Sequence, residues 1–354
     1  MNTQDVQIVL NPEKMAYWTV ITVGLMTTLV IGRDLLIPLT LSIFLSVLLN
    51  SLRTAILNIR LFKGLISKPF AMLLSLIAVL LVNIPIVTIL SNQAELFQEY
   101  VPIYEQNLQQ LVFHIQSQMG IHDFTNTEVL LTNINLAGIL SWFGESISIV
   151  FSNLFLVLMF SMFLLAEENV LPVKLARLTG DPEKARYTKT ICQNISTSIQ
   201  KYILIKTIVS GLTGFLSFLV LEFAGVHFAP MWGVIIFFFN YIPNIGSLFG
   251  VLLPSLLCLL QFEALQPFLI VGCSLTLVQF VIGNIVEPAY LGKQLNLSPF
   301  VVLVSLAFWG AIWGLVGMFV SIPMMVMTSL VCQHIQGLQW ISRLLSTDGE
   351  YMKI

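Results

Sequence analysis

The chain has 354 residues, 57% of them hydrophobic and only 10% charged, with a formal net charge of −2. Soluble domains carry about 25% charged residues, so the charge needed to cover a water-facing surface is missing, and no basic field exists to hold nucleic acid. The mean hydropathy of +0.90 makes a lipid bilayer the natural solvent.

A spanning helix needs roughly 20 mostly apolar residues. In chain order, 16–32, 35–52 and 69–91 predict three such helices in an N-terminal unit, 1–91. Only Lys14 precedes the first run and no small-residue cleavage site follows it, so that run reads as a retained helix rather than a signal peptide. Segment 92–145 is polar, yet Phe97, Val101, Tyr104, Leu108, Leu111 and Ile115 recur at helical spacing. It predicts an extracytoplasmic amphipathic element, with a second stretch around 127–140. A lid and a subunit-contact or gating element are both open readings. A fourth spanning helix follows at 146–166. Segment 167–202 is basic and helical, starting at Asp181-Pro182-Glu183 and running into a fifth spanning helix, 203–221. A C-terminal membrane core, 203–335, and a tail, 336–354, complete the chain.

Positive charges set the expected orientation. Arg53, Arg60, Lys63 and Lys68 follow the second helix without an acid between them. Segment 92–145 has no Lys or Arg, whereas 167–206 has Lys174, Arg177, Lys184, Arg186, Lys189, Lys201 and Lys206. Both termini are therefore expected in the cytoplasm. Arg33, beside Asp34 in a short outer turn, is the exception.

Two long apolar segments are interrupted. As one rod, 228–260 would reach about 50 Å, whereas the hydrocarbon core is about 30 Å thick. Its middle, FFFNYIPNIGSLFG at 237–250, carries Asn240, Pro243, Asn244, Gly246 and Gly250. Proline breaks a helix and glycine permits turns, so two half-helices around a turn are predicted. Broken backbone at membrane depth persists only where protein buries it or a wet cavity meets it. A kinked helix that spans fully is the other reading. Segment 300–334 repeats the theme through Gly310, Gly314 and Gly317, and Pro230, Phe239 and Pro254 recur at one constant offset as Pro299, Phe308 and Pro323. Paired interrupted segments point to a transporter site. The fold expected is all-α and polytopic, with about six spanning helices, the sixth at 268–286, plus two re-entrant hairpins. The alternative is eight spanning helices.

Between the two segments lies GNIVEPAYLGKQLNLSP, 283–299. On a helix, Asn284 and Glu287 share a face. A carboxylate at a membrane helix end is a candidate for binding a cation or carrying a proton. An interfacial Glu bonded to Lys293 or to backbone donors is the structural alternative.

FNYIPNIGSLFG, followed by NIVEPAYLGKQLNLSPFVVLVSLAFWGAIWGLVGMFVSIPMM, resembles the C-terminal signature of the autoinducer-2 exporter (AI-2E) family of bacterial permeases. LLIPLTLSIFLSVLLN at 35–50 is similar to that family's second helix. The resemblance implies a homo-oligomeric, multi-span inner-membrane protein that works without ATP, either exporting autoinducer-2 or exchanging sodium or lithium for protons. Ala289 and Ala311 depart from the family pattern.

The leading expectation is a secondary transporter for a small polar solute or a monovalent cation or proton. Asn240, Pro243, Asn244, Gly246, Asn284, Glu287, Gly310 and Gly314 line its path, and Glu287 is the coupling group. A passive oligomeric channel and a non-transporting assembly partner are the alternatives. No phosphate-binding loop or H-E-x-x-H occurs, and the four histidines and four cysteines lack ligand spacing, so neither enzyme chemistry nor a cofactor is expected.

Overall fold

The computed structural model describes residues 12–59, 66–119, 153–168, 170, 173–174, 177, 181–291, 296–335 and 337–350. The stretch around 127–140 and Lys293 lie outside them. No strand occurs among the described residues. The helices are α1 (Pro12–Ile31), α2 (Arg33–Asn58), α3 (Lys68–Met119), α4 (Leu154–Glu167), α5 (Pro182–Phe223), α6 (Ala229–Phe239), α7 (Ile245–Phe262), α8 (Leu265–Val281), α9 (Glu287–Leu291), α10 (Pro299–His334) and α11 (Gln339–Leu345). A single π-helical turn, Ile282–Val286, joins α8 to α9.

Among the described residues, six helices are long and apolar enough to cross a membrane: Arg33–Asn58, Lys68–Leu111, Ala185–Phe223, Ile245–Phe262, Leu265–Tyr290 and Pro299–His334. The run at 16–32 forms α1, a helix of 20 residues, and the run at 146–166 is described from Asn153, where it forms α4. Two of the six that qualify by length, Ile245–Phe262 and Pro299–His334, belong to the interrupted segments.

Two helices continue past their apolar runs. In α3, the periodic stretch beginning at Phe97 prolongs the spanning helix without a break, giving 52 residues. In α5, the Asp181 carboxylate accepts the Glu183 N–H at 2.9 Å and Pro182 occupies the first turn. That helix runs 42 residues and stops at Gly225, φ +68. There the Gly225 N–H donates to the Glu222 carbonyl and the Val226 N–H to the Leu221 carbonyl, the paired bonds of a left-handed glycine cap.

Both interrupted segments double back on themselves. A methyl at Gly246 on α7 would lie 1.7 Å from the Phe239 carbonyl oxygen at the end of α6, and one at Gly250 would touch Ile236. These contacts make α6 and α7 an antiparallel pair closed at 240–244. In α10 the Ser305 hydroxyl donates to the Ser321 carbonyl at 3.5 Å. On a straight helix those residues would stand about 24 Å apart. The chain reverses at Gly314, φ +61 and ψ −140, and a methyl at Gly317 would lie 1.9 Å from the Trp309 carbonyl oxygen. Below, the first pair is hairpin 1 and the second hairpin 2.

Two apolar clusters hold the assembly. Hairpin 1 packs on Phe97 and Tyr104 of α3 and Leu221 of α5. Hairpin 2 packs on Ile37 and Phe44 of α2, Ile199, Tyr202 and Ile203 of α5, and Leu345 of α11. Elsewhere, α2 is clasped to the end of α4 by Asn50, Arg53 and Glu168, with Arg53 and Glu168 3.1 Å apart. Hydroxyls on the apolar helices mostly return to the carbonyl one turn back, as at Thr27, Ser75, Thr88 and Thr276. This satisfies them where lipid offers no partner.

Candidate functional site

Helix α5 carries a buried stripe at helical spacing: Tyr202, Lys206, Ser210, Thr213 and Ser217. On an otherwise apolar helix, a buried row of polar groups needs partners. The turn of hairpin 1 makes two bonds here, one to Ser210 of the stripe and one to Thr207 beside it. The Asn240 amide donates to the Ser210 hydroxyl at 3.0 Å, and the Tyr241 hydroxyl donates to that of Thr207 at 2.7 Å. Thr207 passes the bond on to the Ile203 carbonyl.

The third partner is Glu287. Its Oε1 lies 2.6 Å from the Lys206 Nζ. Of the four ion pairs among the described residues this is the most buried, with side chains 6% and 21% exposed. Tyr202 is buried one turn before Lys206 on the same face of α5. The π-helical turn stands immediately before Glu287, whose N–H donates to the Ile282 carbonyl. The wider turn rotates everything after it relative to a regular helix. Glu287 therefore faces α5, while Asn284 is exposed and its amide bonds to the Phe280 carbonyl at 3.1 Å. The shared face expected from the spacing of these two residues assumed a regular helix.

The turn of hairpin 1 is strained. Asn244 has φ +59 and ψ −53, and the Ile245 N–H donates across it to the Pro243 carbonyl at 2.6 Å. That is a γ-turn of the rare, positive-φ kind. Such strain persists only where the surroundings enforce it, and it clusters at functional sites. Here the enforcement is visible: Gly246 abuts the Phe239 carbonyl directly below, so the turn cannot relax inward. The Asn244 side chain is exposed, and the main-chain carbonyl of Asn244 accepts from the Leu248 N–H and the Ser247 hydroxyl.

The two hairpins meet side by side. The Tyr241 ring lies 4.5 Å, centre to centre, from that of Phe319 on hairpin 2, and Phe238 lies 6.4 Å from the same ring. At the tip of hairpin 2, Trp313 stacks near Trp309 and its indole N–H donates to the Leu29 carbonyl of α1 at 3.0 Å. Gly310 packs against Met318, and Gly314 forms the reversal in open space. The structure thus gathers Asn240, Pro243, Asn244 and Gly246 in one turn and brings Glu287 to the helix beside it. Gly310 and Gly314 lie in the second tip, and Asn284 stands apart.

Lys206 was not among the expected site residues. In the sequence it counts only among the positive charges of segment 167–206. The available signal was its position, four residues on from Tyr202 and four before Ser210, on the stripe that the structure buries. Among the described residues no group of three or more His, Cys, Asp or Glu could hold a metal ion.

At the other end of hairpin 1, α3 forms a clasp. The Tyr104 hydroxyl and His227 Nδ1 are 2.8 Å apart, the His227 N–H donates to Gln261 at 2.7 Å, and the Asn107 amide donates to the Leu260 carbonyl. His227 lies in the loop between α5 and α6, and burial lowers its pKa from the usual 6.5.

Comparison with known proteins agrees with the sequence resemblance. Residues 19–337 match the family described as AI-2E family transporter. A Borreliella burgdorferi protein, named for transport without a stated substrate, is 33% identical over 68% of this chain and 67% of its own. The AI-2 transport protein TqsA of Escherichia coli K12 is 28% identical over 92% of this chain and 95% of its own. YhhT of the same organism, also named for transport, is 27% identical over 88% and 86%.

Proposed function

The chain belongs to the AI-2E family of membrane transporters, and from that premise we propose a secondary transporter, independent of nucleotide, whose path runs past the hairpin tips. Its cargo is a small polar solute, such as autoinducer-2, or a monovalent cation exchanged for protons. The relative named for AI-2 transport supports the first, over nearly the whole length of both chains. A buried carboxylate supports the second.

One observation carries the reading: a strained, polar turn and a buried ion pair sit together where two helical hairpins meet. Helix α8 starts at the open end of hairpin 1, passes its tip and brings Glu287 to Lys206. Hairpin 2 then opens from the far end. In a bilayer, hairpin 1 enters from outside and hairpin 2 from the cytoplasm, their tips overlapping near mid-depth. With that arrangement, and the positive charges of segments 53–68 and 167–206 kept inside, both termini lie in the cytoplasm of a bacterial inner-membrane protein. The long arm of α3, residues 92–119, stands outside, where it braces hairpin 1. Assembly as a homo-oligomer, which the family resemblance implies, fits the exposed apolar flank of α8 at Leu269, Leu277 and Phe280.

The test is flux in proteoliposomes. Purified protein should drive uphill movement of sodium, lithium or autoinducer-2 on an imposed proton gradient, and Glu287→Gln should abolish the coupling. Flux that only ever runs downhill identifies a channel. No flux under any gradient removes the transport reading for these cargoes.

A further inference from the structure

We infer that Lys206, rather than Glu287, carries the exchanged proton, with its ammonium holding the cation subsite of Glu287 until a metal cation displaces it. The inference rests on the reading of Glu287 as the coupling carboxylate and adds the mechanism by which it couples.

The geometry argues for competition. Nζ and Oε1 are 2.6 Å apart in a site where Lys206 is nearly sealed from solvent, so no second cation fits between them. The titratable groups near Lys206 are Glu287 on α9, bonded to it, the buried Tyr202 one turn before it on its own helix, and Tyr241 of the hairpin turn, bonded to the adjoining Thr207. Glu287 alone among them is a carboxylic side chain in contact with the Lys206 nitrogen. An alkali cation reaching Glu287 therefore takes the one counter-ion Lys206 has. A buried ammonium without a counter-ion is too costly to keep, and lysine, unlike arginine, can give up its proton.

The balance is direct. The starting state holds a carboxylate and an ammonium. The cation bonds to the carboxylate oxygen, the N–H bond of Lys206 breaks, and the proton leaves to water as the amine keeps its electron pair. The products are a carboxylate with its bound cation, a neutral amine and one released proton. The site is neutral before and after, so exchange is one for one and moves no net charge. The Tyr241 hydroxyl donates to that of Thr207, the residue next to Lys206, which sets two polar oxygens beside the strained turn.

The test uses purified full-length protein in weakly buffered detergent solution containing a pH indicator. Sodium, lithium or potassium chloride is added, with choline chloride as control. The wild type should release one proton for each cation bound, and choline should release none. Lys206→Arg keeps a cation beside Glu287 but cannot deprotonate, so it should release none and bind no metal. Lys206→Gln should bind cations without releasing protons, shown by a rise in melting temperature with salt that Lys206→Gln/Glu287→Gln lacks. If Lys206→Gln is unfolded without salt, recovery in sodium, lithium or potassium supports the inference, and failure to recover in all three overturns it. Equal proton release from Lys206→Arg and wild type also overturns it. No release from the wild type with any metal does the same, while leaving solute transport to the flux assay.

Discussion

The two hairpins are built on one device and finished differently. In each, a glycine on the returning arm presses against the backbone carbonyl of an aromatic residue on the entering arm: Gly246 on Phe239, which ends its arm, and Gly317 on Trp309, about one turn before the reversal. Only a residue without a side chain lets two helices close so tightly. The turns then diverge. Hairpin 1 closes through five residues, 240–244, with two amides, a strained Asn244 and hydrogen bonds to α5. Hairpin 2 closes at a single left-handed glycine and is moored by an indole to the last turn of α1. The shared part is architecture. The unshared part assigns the roles: the polar tip faces the buried ion pair, and the aromatic tip anchors.

The strongest way to break this comparison is to attack the shared device. Gly246→Ala and Gly317→Ala each place a methyl within 2 Å of a carbonyl that belongs to backbone and cannot swing aside. Each should cost about 3 kcal/mol, the top of the usual overpacking range, and lower the melting temperature in detergent. Gly211→Ala, whose methyl would meet nothing within 4 Å, should melt no lower than the wild type. Equal tolerance of all three substitutions would show that the arms do not pack as described.

A second set separates the tips. Asn240→Ala removes the partner of a buried hydroxyl and should cost about 1–3 kcal/mol. It should also slow flux, because the turn loses its hold on α5. Trp313→Phe removes one hydrogen bond and should cost about 1 kcal/mol, with flux retained. If Trp313→Phe slows transport more than Asn240→Ala, the roles of the tips are reversed.

The smallest effect concerns the bases. Hairpin 1 is clasped through His227, whereas the base of hairpin 2 is held by the Ser298 N–H on the Leu345 carbonyl and by the Ser329 and Ser342 hydroxyls. Burial lowers the His227 pKa in the folded state below 6.5. Below that pH the unfolded chain binds a proton that the folded one resists, so stability falls as pH drops from 6.5 towards the folded value. Melting curves should show a wild-type loss over that window that His227→Gln reduces. Identical slopes would place no weight on the clasp.

Much of this was legible in the residues. The apolar runs placed the long helices, and Pro243, Gly246 and Gly314 fell where the chain reverses. Helix ends were less so: α3 and α5 run well past their apolar runs, and hydropathy does not mark where a helix stops. The ion pair escaped for two reasons. Charge counting cannot tell a lysine on a solvated face from one on a buried stripe, and Lys206 sits at the edge of a basic segment. The π-helical turn has no composition signal in IGNIV, so regular helical spacing aligned Asn284 with Glu287 when only Glu287 faces α5.

The central claim is that each interrupted segment goes into the bilayer and comes back on the same side. It is tested most directly in a cysteine-free background with Glu222→Cys and Ala264→Cys, which flank hairpin 1. A membrane-impermeant maleimide added to spheroplasts should label both from outside and neither from the cytoplasmic face of inverted vesicles. Labelling of the two positions from opposite faces would mean that 228–260 crosses the membrane, and would contradict the account.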